Sequence, residues 1–372
     1  MKIITLQKNL KDGLFAVNHI AQKNTNLPIL NNILFSAHEG IIKLISTNLE
    51  IGITSVVRGK IELEGDFTVD ARLISEYVNL LDNDKVEIEL LDAELQLRCA
   101  SYETKIKGLA AEEFPLIPVI ERTEHLKINT EELKKALSRV LFSVSADESR
   151  LELSGVLFSC SSDELLIAGT DSYRLSEKKI KIESTFSSDR KLIVPAKTLQ
   201  ELVRIISNEK SGDDEAKDVF MYASDNQCLF VVGATELVSR LIDGQYPDYR
   251  QIIPVKHECS ASIVRDEVVR AVKAASLFSR SGVNDIVFSL STKGELSVSS
   301  ASGQAGEHNT KLAGIITGKD ASITLNYRYV LDGLAAVSGS SVIFEVIDDQ
   351  TPCVIKDEAD PGFVYIIMPI KK

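Results

Sequence analysis

A chain of 372 residues with 44% hydrophobic and 26% charged side chains is long enough for two or three domains and too apolar for intrinsic disorder. The opening MKIITLQKNL lacks the apolar core of a signal peptide, and the longest nearly unbroken apolar run, 363–370, is too short to cross a bilayer. Five scattered cysteines with no CxxC pair argue against a disulfide framework or a cysteine-rich zinc site and for reduced thiols in the cytoplasm, while the formal charge of −12, taken alone, argues against nucleic acid.

In chain order, Leu10, Leu14 and Val17 mark the apolar stripe of a helix over 8–23. The run Phe67-Thr68-Val69-Asp70 leads into a second helix over 71–82. Lys85–Leu90 and Glu94–Cys99 alternate apolar and polar residues around Leu91-Asp92-Ala93, which predicts a hairpin with one wet face. Prolines in 113–118 end this stretch. Alternation resumes at Leu126–Asn129, and Leu133, Leu137 and Val140 mark a helix over 130–143. Lys179–Ile182 predicts a further strand, 196–208 a fourth helix, 211–218 an acidic surface loop, and the prolines of 246–254 a second boundary. Val268, Val272 and Ala275 set a helix over 265–280, and a sixth covers 327–338.

The pattern is threefold. FTVDARLISEYVNLL, LIVPAKTLQELVRII and ITLNYRYVLDGLAAV each place an apolar run, one basic residue and a helical stripe in the same order. Their basic residues, Arg72, Lys197 and Arg328, lie 125 and 131 residues apart, and the upstream stripes repeat at 123 and 135. The predicted fold class is α+β, with three repeated domains (1–120, 121–254 and 255–372), each carrying two helices on one face of antiparallel sheets.

Catalytic signatures are missing. The five histidines stand alone, no HExxH, GxxxxGK[ST], GxGxxG or GxSxG occurs, and the SxxK of Ser188 to Lys191 lacks companion motifs. Asp171 beside Arg174 reads as a turn cap and ion-pair partner rather than a general base. Neither an enzyme nor a metal or other cofactor is expected. The charge is unevenly placed: the six predicted helices carry a net +5, which leaves −17 for everything else. Helices sharing one surface would make it mildly positive on an acidic body.

Several stretches together resemble the bacterial DNA polymerase III beta subunit (sliding clamp) family over the whole chain. They are Leu27-Pro28-Ile29-Leu30 with Asn32, Thr170-Asp171-Ser172-Tyr173-Arg174-Leu175-Ser176, Leu241 to Arg250, Asn326 to Leu331, and Ile366-Ile367-Met368-Pro369-Ile370. The resemblance implies a DNA-clamp fold that dimerises head to tail into a closed ring around duplex DNA, helices lining the hole. It also implies a partnership with the replicative polymerase, the clamp loader and repair proteins through short hydrophobic peptides. Sequence-independent phosphate contacts by a faintly positive lining suit a protein that slides. The implied DNA-facing residues are Lys23, Arg72, Lys134, Arg139, Arg150, Lys197, Arg204, Arg270 and Lys273, with Lys197 and Arg204, at i and i+7, projecting from one helix face.

The implied peptide pocket is Leu153, Thr170, Ser172, Tyr173, Arg174, Leu175, Pro247, Ile252, Asn326, Tyr329, Ile366, Met368, Pro369 and Ile370, an adaptable apolar lining with polar groups that fix polarity. The dimer seam is expected to join a strand at Thr104 and Ile106 to Leu277 and Phe278. The sequence departs from the family pattern at Lys23-Asn24, at the acidic Asp147-Glu148, and at Gln251, Arg280 and the terminal Lys371-Lys372. The alternative is a non-enzymatic peptide-binding scaffold without topological DNA binding.

Overall fold

The computed structural model describes residues 1–21, 26–147, 149–208 and 217–371. Each repeat supplies two helices, and each helix grows out of a strand. The helices are α1 (Gln7–Val17), α2 (Ala71–Leu80), α3 (Thr130–Val140), α4 (Ala196–Asn208), α5 (Arg265–Ser276) and α6 (Tyr327–Ala336). The repeated cation is the second residue of α2, α4 and α6. The i, i+4, i+7 stripes of α1, α3 and α5 are all buried, so the sequence period and the packed face coincide.

The chain divides into two compact units. Unit 1 comprises the described residues of Met1–Glu131, Glu183–Ser187 and Gln200–Leu241; unit 2 comprises those of Glu132–Ile182, Ser188–Leu199 and Ile242–Lys372. The cut therefore runs through the middle repeat, not between repeats. The reason lies in strand pairing. Thr235–Ser239 of the middle repeat pairs with Ile51–Ser55 of the first, and Arg174–Lys178 with Phe363–Ile367 of the last. Half of the middle repeat thus hydrogen-bonds into each neighbour's sheet.

In unit 1 a single antiparallel sheet of fourteen strands runs from Glu183–Ser184 at one edge to Gly59–Leu63 at the other. Lys85–Leu91 and Glu94–Cys99 form the expected hairpin. Its turn residues Asp92 and Ala93 have φ of 45° and 65°, the positive values that a two-residue turn needs to match strand twist. The first helix is shorter than the predicted 8–23. It stops at Val17, where each of its last four carbonyls finds a donor. Asn18 N–H donates to Leu14 (2.9 Å), Arg204 Nη1 and Nη2 donate to Phe15 and Ala16 (2.6 Å each), and Ser46 Oγ donates to Val17 (2.6 Å).

In unit 2 a nine-stranded sheet runs from Arg190–Pro195 through Arg174–Lys181 and Asp360–Ile367 to Ile315–Gly318. A four-stranded sheet has Gly306–Ala313 at one edge and Ala321–Asn326 at the other. Phe288, Phe344, Phe363 and Tyr365 fill the core beneath α5 and α6. Gly333 lets α6 lie on the Tyr365 ring, because a Cβ there would sit 2.3 Å from the ring carbons. The predicted acidic loop 211–218 falls mostly outside the described residues.

Candidate functional site

One turn in unit 2 organises several of the residues expected to line the peptide pocket. Thr170 Oγ1 donates to the Arg174 carbonyl (2.6 Å) and accepts from Ser172 N–H (3.1 Å), and Asp171 Oδ1 accepts from Tyr173 N–H and Arg174 N–H (2.9 and 3.0 Å). Ser172 takes φ 78°, and the turn leaves the Tyr173 ring exposed. Asp171 is thus the turn cap and arginine partner that its sequence context suggests. Arg174 is held on every side: Nε on Asp171 Oδ2 (3.0 Å), Nη2 on the Phe142 carbonyl (2.6 Å), Nη1 on Asp332, and its Cζ 4.6 Å from the Tyr329 ring centroid. So fixed, it is a rigid wall.

The chain's last residues close the other wall. Met368 N–H donates to the Tyr173 carbonyl (2.9 Å) and Ile370 N–H to the Thr324 carbonyl (2.8 Å). Asn326 caps α6 by accepting from Arg328 N–H (3.0 Å). Leu157, Leu166, Ala168, Leu175, Tyr249 and Ile366 make a buried cluster beneath, with Ile253 packed against it. Burial pushes the Tyr249 hydroxyl up, and its bond to Glu177 Oε2 (2.6 Å) reinforces this. Several of the expected pocket residues thus share contacts within unit 2, among them Thr170, Ser172, Tyr173, Arg174, Leu175, Tyr329, Ile366 and Met368. Leu153, Leu175 and Ile366 are buried, Leu175 and Ile366 in that cluster; Tyr173 and Ile252 are exposed, and Met368, Pro369 and Ile370 half-buried.

The predicted DNA-facing cations separate into two groups. Arg72, Lys197, Arg270 and Lys273 stand exposed on their helices and Lys134 is half-buried; Arg72 also pairs with Glu76 (2.7 Å). Three others are engaged by partners within the chain. Arg139 is only 11% exposed, its guanidinium on Asp360, Asp357 (3.1 Å) and Ser338 (2.7 Å) and over the Phe363 ring (5.1 Å). Arg204 binds Glu201 (2.8 Å) and the α1 carbonyls, so only Lys197 of the i, i+7 pair projects. Arg150 donates to Ser172 Oγ (2.9 Å), which ties it to the 170–174 turn. Lys23 lies outside the described residues.

Among the strands of the described residues that have an edge without a full ladder partner, two bear on the expected dimer seam. Tyr102–Leu109 gives one edge to Glu94–Cys99, and on the other only Gly108 and Leu109 are paired. Gly306–Ala313 borders its sheet, paired only with Glu295–Ser302. Thr104 is half-buried on the first edge, and the Ile106 side chain is buried in unit 1, which leaves its backbone for the strand pairing expected of this edge. Leu277 is exposed, and Phe278 stacks on His308 of the second edge (5.5 Å, 13°). Among the described residues no group of His, Cys, Asp and Glu could hold a metal ion.

Family models described as the N-terminal, central and C-terminal domains of the DNA polymerase III beta subunit match residues 1–118, 127–248 and 250–371, in that order. The chain belongs to the DNA polymerase III beta subunit family. The beta sliding clamp of Synechococcus elongatus is 29% identical over 376 residues, covering 100% of this chain and 99% of the relative. That of Staphylococcus epidermidis is 29% identical over 97% of this chain and 96% of its own. Among solved structures, the Bacillus subtilis sliding clamp aligns at TM-score 0.93 with 28% identity, covering 100% of this chain and 99% of that one. A beta subunit from Eubacterium rectale aligns at 0.92 with 28% identity over all of both chains.

Sequence reasoning about this beta-subunit chain missed one set of residues. Leu73 and Leu80 on α2 are exposed, with Tyr77 half-buried between them, opposite the buried Ala71, Ile74 and Val78. Burial pushes the Tyr77 hydroxyl up from its ordinary value. Their i, i+4, i+7 spacing was legible, but a second apolar stripe on a two-sided helix marks an interface only once the first is known to be buried.

Proposed function

We propose that two copies of this chain close head to tail around duplex DNA as a sliding clamp, and that the unit 2 groove tethers the replicative polymerase, the clamp loader and repair proteins. The observation that carries this reading is the in-order match of all three repeats to the three domains of the beta subunit; the strand edges at 102–107 and 306–313 support the seam. A protein holding a polymerase on a moving template needs retention without tight binding. Topology supplies that, so a few exposed cations such as Lys197, Arg270 and Lys273 suffice, and the acidic remainder disfavours DNA outside the ring. The chain performs no chemistry of its own; nucleotide transfer belongs to the polymerase it tethers. We place the domain limits at 120 and 254 and the protein in the cytoplasm, a setting consistent with five free, buried cysteines.

The seam in this reading is strand 102–107 of one copy against strand 306–313 of the other, with Leu73, Tyr77 and Leu80 covered by Leu277 and Phe278 of the partner subunit. Pairing removes two exposed edges at once. Light scattering is expected to give a dimer of the 40.9 kDa chain. Removing residues 368–372 is expected to abolish binding of partner peptides and leave that dimer intact. A monomer at micromolar concentration, or undiminished peptide binding by the truncated chain, would contradict the reading.

A further inference from the structure

The turn that shapes the unit 2 groove is built a second time, in unit 1. Thr47 Oγ1 donates to the Ile51 carbonyl (2.9 Å) and accepts from Leu49 N–H (3.0 Å), and Asn48 Oδ1 accepts from Glu50 N–H and Ile51 N–H (3.0 and 2.8 Å). Leu49 takes φ 74°, where Ser172 takes 78°. Thr47 to Ile51 and Thr170 to Arg174 are the same structure, 123 residues apart. The wall beside it repeats too: Arg240 N–H donates to the Glu50 carbonyl (3.2 Å) as Met368 N–H does to Tyr173 (2.9 Å).

The third component also recurs. Leu116-Ile117-Pro118-Val119 repeats Ile252-Ile253-Pro254-Val255 at an offset of 136 residues. Leu116 and Val119 are 96% and 97% exposed, and Val255 likewise 97%. Gly52 stands where unit 2 has Leu175, and the Ile117 side chain fills the space, since a Cβ on Gly52 would lie 2.8 Å from Ile117 Cδ1.

The chemistry of the rim differs. The repeat register puts Leu27 where unit 2 has Arg150, Leu49 where it has Ser172, and Ile51 where it has Arg174. Leu27 and Leu49 are both exposed. Glu50 replaces Tyr173, and Glu112, Glu113 and Glu121 stand exposed around Leu116 and Val119. Arg122 of the same segment is held by Glu236 (2.7 Å). This rim is more apolar and more acidic than that of unit 2.

We infer that unit 1 carries a second docking groove, formed by the Thr47–Ile51 turn, Leu27, Leu49 and Leu116, for extended peptides that combine apolar anchors with lysine or arginine. The inference rests on reading the unit 2 groove as a peptide site, which it repeats. Apolar side chains supply the anchor pockets, and the carboxylates select cationic flanks. One ring would then hold two classes of partner at once, told apart by charge.

The test uses the full-length chain and two twelve-residue probes by calorimetry. Both carry two leucines and a phenylalanine; four lysines flank one set and four serines the other. Leu49→Ser with Leu116→Ser is expected to weaken the lysine probe at least tenfold and leave the serine probe within twofold. Removing residues 368–372 is expected to abolish the serine probe's site and leave the lysine probe's in place. Lysine-probe affinity unchanged within twofold by the double substitution, or no saturable binding of that probe, overturns the second groove. Serine-probe binding that survives the truncation overturns instead the reading of unit 2.

Discussion

Replacing Arg139 by methionine separates a structural cation from a DNA-binding one. The guanidinium is 11% exposed, and it meets Asp357, whose side chain is wholly buried, and Asp360. Methionine keeps most of the volume over Phe363 but removes the charge. Breaking one member out of a buried ion pair costs about 3–5 kcal/mol. The lower end applies here, because Lys178 still holds Asp360 (2.6 Å) and Ser338 and Ala359 still donate to Asp357 (2.8 and 3.0 Å). Urea unfolding followed by circular dichroism is therefore expected to lose about 3 kcal/mol for the transition of unit 2. The pH dependence follows from the same contacts. Burial pushes the Asp357 carboxyl up, but donors from Ser338 and Ala359 and the Arg139 charge outweigh it and hold the group below its ordinary value of 3.8. The stability this supplies is present in full above about pH 4 and is lost as the pH falls further. The methionine variant is expected to show a smaller loss of stability over that acid range. An unfolding curve like that of the parent, together with a weaker salt dependence of DNA retention, would show that Arg139 meets phosphate after all.

Three other outcomes are expected. Changing Lys197, Arg270 and Lys273 together to glutamine should leave unfolding unchanged and lower the slope of log retention against log salt by about 0.9 for each phosphate contact removed; an unchanged slope would take these residues out of the lining. Leu73→Asp with Leu80→Asp should convert the dimer to monomer in light scattering without loss of helical signal, and a persistent dimer would place the seam elsewhere. Ala93→Gly should raise thermal stability by about 0.5–1 kcal/mol, the net of a left-handed penalty of about 1–2 and a glycine entropy cost of about 0.5–1; a loss would mean that the φ of 65° carries no strain.

Local periodicity made much of this molecule legible. The buried stripes of α1, α3 and α5, the repeated cation of α2, α4 and α6, and the hairpin at 85–99 all depend on neighbours within a few residues. What stayed hidden depends on distant partners. Arg139 looks like a surface cation until Asp357 and Asp360 arrive from more than 200 residues away, and Arg204 until it reaches the end of α1. The pairing of Ser239 with Ile51 and of Arg174 with Ile367 has no local signature either, so three repeats could not be seen to form two packed units. The expected pocket residues came from family resemblance, and the bond from Arg150 to the Ser172 hydroxyl is one that no spacing rule predicts.

The most direct test of the ring is a single cut. The protein is loaded by a clamp loader onto nicked circular DNA, freed of unbound protein by gel filtration, and the DNA is then linearised at one site with a restriction enzyme. Topological linkage predicts stable retention on the circle and rapid loss after cutting. Equal retention on circular and linear DNA would contradict it.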